Sequence, residues 1–234
     1  MTATHTYPYT MVDGHLILDC EGRHLLLDTG APLSVYPEPT MPFAGARHSA
    51  TADYLGVGLE DVSTLVGTQL DGLIGADALV PYDTVIDPVR QEVRVDQGEH
   101  DPQGACLALD CAMIVPIVEV SISGEPVRMI FDTGAKLSYL DRTFIDAFPP
   151  SGTREDFFPG LGTFTTDTFQ AQISLGPPST VTITTGALTA IPALALTLVG
   201  ARGILGSALF DHFAVGYSPL RGKMTLRDIN GEGD

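Results

Sequence analysis

Two short segments, Leu26-Leu27-Asp28-Thr29-Gly30-Ala31 and Ile130-Phe131-Asp132-Thr133-Gly134-Ala135, each end an apolar run on a carboxylate followed by threonine, glycine and alanine. An apolar strand that stops this way sets a carboxyl at the edge of a β-core, and the glycine permits a turn that a side chain would obstruct. A single turn of this kind is an ordinary strand exit in which the Asp caps its own turn. Two with the same flanks carry more, because a duplicated unit tends to assemble about a twofold axis, by analogy with the isologous contact of symmetric dimers. Asp28 and Asp132 are then expected to meet at that axis. Two carboxyls in contact cannot both ionise cheaply, so the pair holds one proton over a useful pH range. The ionised member takes a proton from a water lying between them, while the protonated member donates to a carbonyl oxygen as it becomes tetrahedral. Amide hydrolysis needs these two operations and neither a metal nor a covalent intermediate, so no metal and no cofactor is expected.

The elements that must position these carboxyls are themselves repeated. Arg23–Ser34 aligns with Val127–Ser138, so that Asp132 stands 104 positions after Asp28. A second pair, Leu73-Ile74-Gly75-Ala76-Asp77-Ala78-Leu79 through Tyr82 and Ile204-Leu205-Gly206-Ser207-Ala208-Leu209-Phe210 through Phe213, aligns 131 positions apart and continues to Arg90 and Arg221. The order of elements is the same in both halves, which divides the chain into 1–100 and 101–234, with the join in the polar, Gly- and Pro-containing stretch 97–105. Each half reads mainly as β. Apolar stretches such as Ile114–Ile122 are rich in β-branched residues and end in turn signals such as Ser123-Gly-Glu-Pro126. Helix is expected only in short pieces: 141–148, with Asp141 as N-cap and Pro149 as stop, and the segments after Gly75 and Gly206. Stretches 37–50 and 150–163 read as irregular.

Composition narrows the partners. The chain has 234 residues and 44% hydrophobic content, enough for a substantial core. Its 12 Lys and Arg against 29 Asp and Glu give a net charge of -17, which repels nucleic acid. The only lysines are Lys136 and Lys223, and no apolar run reaches spanning length, so no membrane partner is expected. The first residues lack a basic region followed by an apolar one, which points to the cytoplasm. Cys20, Cys106 and Cys111 are too few for a disulfide framework and read as small apolar residues. The six histidines, His24 among them, are scattered without metal-ligand spacing and read as strand or surface residues. Gly56-Val-Gly58 and Gly160-Leu-Gly162 lack the third glycine and helix of a dinucleotide site.

Taken together, the two Asp-Thr-Gly-Ala segments and the Leu73-Ile74-Gly75 and Ile204-Leu205-Gly206 segments resemble those of the aspartic proteases, specifically the retropepsin-like branch. The resemblance implies an all-β, bilobed acid-protease fold with pseudo-twofold symmetry and few short helices. It also implies a monomer in which two fused retropepsin-like lobes supply one site, in a chain much shorter than the typical pepsin. Asp28 and Asp132 would be catalytic. Thr29 and Thr133 would hydrogen-bond across the axis, Gly30, Ala31, Gly134 and Ala135 would complete the turns, and Gly75 and Gly206 would let a strand pack against them. The second half departs from the pattern, having Ala208 where the first has Asp77.

The family closes a hairpin flap over bound peptide. The second half has 27 more residues between its Asp and its matching Gly. The main flap is therefore expected there, around Phe158, Gly160, Leu161, Gly162 and Phe164, with Tyr54-Leu55-Gly56-Val57-Gly58 as a first-half candidate. The apolar flap candidates suggest substrates with hydrophobic residues beside the scissile bond. Ala31 and Ala135 stand where many pepsins place a hydroxyl donor, and its loss should raise the pair's pKa and move activity to milder pH than pepsin's. The reading is an aspartic endopeptidase acting on peptide or protein. Its competitors are a catalytically silent peptide-binding protein that keeps the cleft, and a structural β-protein that uses paired turns only for assembly.

Overall fold

The computed structural model describes residues 4–98, 104–111, 115–158, 162–176 and 179–230. In the first half, His24–Leu27 runs parallel to Gly72–Ile74, with Leu26 opposite Leu73, and antiparallel to His15–Asp19. In the second, Glu125–Phe131 runs parallel to Gly203–Leu205, with Ile130 opposite Ile204, and antiparallel to Ile117–Ile122. Leu25, Leu26, Leu27, Met129, Ile130 and Phe131 are all buried, as expected of strands covered on both faces rather than one. This burial explains why each Asp is preceded by an unbroken apolar run.

The halves join through one sheet. Phe213–Ser218 of the second half pairs antiparallel with Asp83–Asp87 of the first, Gly216 facing Val85. Glu92–Asp96 and His5–Val12 continue the sheet on one side, Lys223–Asp228 and Ala105–Asp110 on the other. A core running through both halves, with Tyr217, Phe131, Leu27 and Ile86 fully buried, packs on this sheet. Arg221 meets Asp83 at 2.7 Å and Arg227 meets Asp87 at 3.5 Å, adding charged links across the join. The chain is thus all-β and bilobed, with pseudo-twofold symmetry.

Local structure departs from the sequence expectation in five places. Residues 37–50, read as irregular, carry the hairpin Thr40–Phe43/Ala46–Ser49. Residues 150–158, read the same way, form a strand paired with Gly162–Ser174. Residues 150–155 are all exposed, so the strand lacks the alternation that marks a half-buried one. Helices also form at Leu59–Val66 and Ala190–Leu198. The first is amphipathic, with Leu59, Val62 and Val66 inward and Glu60, Asp61 and Thr64 exposed, but spans only two turns; the second has Pro192 in its first turn and apolar residues all round, so it shows no polar face. The 141–148 expectation shortens to Arg142–Ile145, with Asp141 as N-cap accepting from the Thr143 N–H at 2.9 Å.

Candidate active site

Each buried strand delivers its carboxyl in the same way. The Asp28 N–H donates to Ile74 C=O and the Asp132 N–H to Leu205 C=O, both at 3.0 Å, so the parallel partner strand fixes where the turn begins. Asp28 Oδ1 then accepts from the Gly30 and Ala31 N–H groups at 3.0 and 2.9 Å. Asp132 Oδ1 accepts from Gly134 and Ala135 at 2.9 and 3.1 Å. Both carboxyls line one cleft, each against the glycine of the opposite turn, and interact with each other.

The threonines between them lock the turns together. Thr133 Oγ1 accepts from the Thr29 N–H at 3.0 Å and donates to Leu27 C=O at 2.7 Å. Thr29 Oγ1 accepts from the Thr133 N–H at 3.0 Å and donates to Phe131 C=O at 2.7 Å. Both hydroxyls are buried and fully used, so each removes two orphan backbone groups at the junction.

Close backbone approach explains the remaining glycines. A Cβ on Gly75 would lie 2.6 Å from the Leu33 carbonyl carbon, and one on Gly206 would lie 2.6 Å from the Ala135 oxygen. The Gly75 N–H donates to Ser34 Oγ and the Gly206 N–H to Ser138 Oγ, both at 3.0 Å. Here the Asp77 asymmetry has its effect. Asp77 Oδ1 accepts from Ser34 Oγ at 2.7 Å and from the Ser34 N–H at 2.9 Å, anchoring the first turn. With Ala208 at the matching place, the second lobe has no such carboxylate. Ser207 instead donates to Gly14 C=O, in the hairpin turn joining His5–Val12 to His15–Asp19. Gly14 has φ +84, and a Cβ there would lie 2.7 Å from Lys136 Cβ. The neighbouring Asp13 carboxylate holds Lys136 Nζ at 2.9 Å. This turn therefore docks one lobe beside the other lobe's Asp.

Burial raises both carboxyl pKa values above the ordinary 3.8. For Asp132 the neighbouring Asp28 charge adds to burial, while backbone donors at both turns oppose the rise. The pair therefore retains a proton after an isolated carboxyl would have lost it.

The cleft has a volume of about 360 Å³ and two apolar walls. Leu26, Val35, Val66 and Leu73 form the first, and Ile130, Tyr139, Leu196 and Ile204 the second. Tyr54, Leu55 and Val57 reach it from the short hairpin Asp53–Tyr54/Val57–Gly58, and burial together with the charges of Asp28 and Asp132 raises the Tyr54 phenol pKa. Phe157, Phe158, Thr163 and Phe164 reach it from the long hairpin of the second lobe, placing both flap candidates over the same cleft. Gly162 opens the returning strand of that hairpin. Gly160 and Leu161 lie outside the described residues. Tyr139 donates a hydrogen bond to Asp156 and its ring lies 6.2 Å from that of Phe164, so the long hairpin is tied to the strand after the Asp132 turn.

Sequence reasoning missed several cleft residues. His15 lines the cleft, although the histidines read as strand or surface residues; it occupies a strand and faces the site. Tyr139 matches Val35 when the Asp-Thr-Gly repeat is extended by one residue beyond Ser34 and Ser138, a signal present in the sequence. Thr189, Pro192 and Leu196 had none. Of the cysteines, Cys20 is buried, which pushes its thiol pKa up to about 12, and all three are free.

An all-β bilobed fold of the acid-protease type, with one Asp-Thr-Gly turn from each lobe at its axis, is the class these features define. No family model matches the chain, and no curated protein matches it. Among solved structures it is similar to the crystal structure of basic 7S globulin from soybean, over 100% of this chain and 98% of that one, at 9% identity and a TM-score of 0.54. At that identity the likeness speaks for the bilobed pepsin-like fold.

Proposed function

We propose that the chain is an aspartic endopeptidase in which Asp28 and Asp132 share a proton and activate a water for attack on a peptide bond. The observation that carries this reading is the pair of half-buried carboxyls that the two lobes bring into one cleft, each member with its own two backbone donors. The donors hold the ionised oxygen in place, and burial keeps the second proton on. The ionised carboxyl removes a proton from water as it attacks the carbonyl carbon. The other protonates the carbonyl oxygen, and the proton gained in the first step passes to the departing amine. Thr29 and Thr133 keep the two turns in register, because a displacement of about 1 Å at such a site costs on the order of a hundredfold in rate.

The substrate is an extended peptide or protein segment with apolar side chains on both sides of the scissile bond, matching the two walls. The long hairpin Pro150–Phe158/Gly162–Ser174 acts as the main flap and Tyr54–Val57 as a smaller one. One chain supplies both carboxyls, so a monomer suffices. The cytoplasm remains the proposed location, with neither nucleic acid nor membrane as partner.

A peptide-library cleavage profile from pH 3 to 8, run on the wild type and on Asp28→Asn and Asp132→Asn, tests this. Cleavage lost by about a thousandfold or more in folded variants supports it. A wild type that binds library peptides but cuts none would make the chain a silent peptide-binding protein instead.

A further inference from the structure

The long hairpin of the second lobe leaves the sheet before it reaches the cleft. Gly162–Ser174 pairs with Thr180–Ala187 only from Thr168 onward, so residues 162–167 pair with 153–158 alone. Residues 150–155 are exposed on both faces and bring no apolar packing of their own. A two-stranded ribbon of this kind is marginally stable in water, yet its far end must hold Phe157, Phe158, Thr163 and Phe164 in the cleft. At its base Thr166 Oγ1 donates to Ala187 C=O at 2.8 Å, and Arg142 meets Asp167 at 3.5 Å in an exposed pair that contributes little.

Nearer the tip, one residue outside the ribbon grips both of its strands. Asp156 and Phe164 stand opposite each other in the pairing. Tyr139 donates its hydroxyl to Asp156 Oδ2 and sets its ring 6.2 Å from that of Phe164. The tyrosine ring lies against Gly186, where a Cβ would come within 2.6 Å of its Cε1. Asp156 Oδ1 accepts from the Phe157 N–H at 2.8 Å, which leaves Oδ2 for the tyrosine. Burial and the Asp156 charge raise the Tyr139 pKa, so the phenol keeps its proton and remains a donor. The first lobe supplies an internal comparison. Val35 holds the matching place without a hydroxyl, and the hairpin Asp53–Tyr54/Val57–Gly58 is only two residues a side. The long ribbon and the tyrosine occur in the same lobe.

We infer that Tyr139 is a positioning residue that acts through Asp156 to hold the long hairpin over the dyad, in the position that binds substrate. The inference rests on the proposed peptide cleft and deepens it. Tyr139 lies in Ser138–Leu140, the strand that follows the Asp132 turn, so one short segment sets both a catalytic carboxyl and the flap above it.

The test uses the full-length protein, a pepstatin-type peptide as ligand, the best peptide from the cleavage library as substrate, and amide hydrogen exchange of the free protein. Tyr139→Phe keeps the ring and removes the hydroxyl, and Asp156→Ala removes the acceptor. Each is expected to weaken ligand binding about tenfold through faster dissociation, and the loss of kcat/KM should fall on KM more than on kcat. Exchange should quicken about tenfold in 153–158 and 162–167 and stay the same in 168–174, with the urea midpoint unmoved. Asp156→Asn, which keeps one acceptor oxygen, should fall between the wild type and Asp156→Ala. The double variant should be no worse than the weaker single, because both remove one bond. Unchanged binding or hairpin exchange in Tyr139→Phe, losses that add in the double variant, or exchange that quickens throughout as the midpoint falls would each overturn the inference. If the wild type binds without cutting, the protease reading fails while binding and exchange still decide this one. If it neither binds nor cuts, both fail.

Discussion

A Cβ placed on Gly30 would fall inside the carboxyl group of Asp132 on the opposite lobe, and one on Gly134 would fall inside that of Asp28. Each glycine therefore stands where it does for the other half's acid. Gly30→Ala or Gly134→Ala is expected to displace the facing carboxyl and abolish peptide cleavage. Because the methyl meets only a side chain, the secondary structure should survive. Circular dichroism beside a cleavage assay checks both parts.

Removing a threonine hydroxyl at the axis should be costly. Thr133→Val leaves the Thr29 N–H and the Leu27 C=O without partners, at about 2–6 kcal/mol for two buried groups. Thr133→Ser keeps the hydroxyl and loses one methyl, about 1 kcal/mol. Urea unfolding of the two variants should separate them by that margin, and equal midpoints would contradict the assigned bonds.

Asp77→Ala strips the Ser34 N–H and hydroxyl of their acceptor and should cost about 2 kcal/mol. Ala208 sits at the matching place in the second lobe, so Ala208→Ser should leave stability nearly unchanged. A similar response at both positions would mean the lobes are anchored alike after all.

The dyad makes stability depend on pH with a definite sign. A carboxyl whose native pKa is raised holds a proton that the unfolded chain releases. Its contribution is intact below the ordinary value of 3.8 and is lost as pH rises toward the native value. Asp132→Asn removes that loss. The variant is expected to match the wild type near pH 3 and to exceed it increasingly at higher pH, as read from thermal midpoints across the range. A constant difference at all pH values would rule out the raised pair.

Ala31 and Ala135 give a kinetic counterpart. A hydroxyl at position 135 could donate to the Asp132 carboxylate and favour its charged form, so Ala135→Thr should move the acidic limb of the kcat/KM profile to lower pH. A wild-type optimum below about pH 3, or a limb that moves upward in the variant, would contradict this account.

What the sequence determined by itself was local or repeated. Leu25–Leu27 and Met129–Phe131 are apolar at consecutive positions because both faces are covered, and each run ends in Asp-Thr-Gly because the turn needs that glycine. Those constraints are written twice, at the 104-residue offset, so the two carboxyls and their symmetric placement were legible. Tertiary structure alone decided what lies between elements. The 150–158 strand hides its pairing because residues 150–155 are exposed on both faces, and the Tyr139–Asp156 bond joins a repeat position to one that no pattern marks. The docking of Asp13-Gly14 on Lys136 spans 122 residues and depends on how the lobes meet. His15 and Thr189 are ordinary strand and cap residues in sequence. They become cleft residues only when the packing of both lobes closes round them.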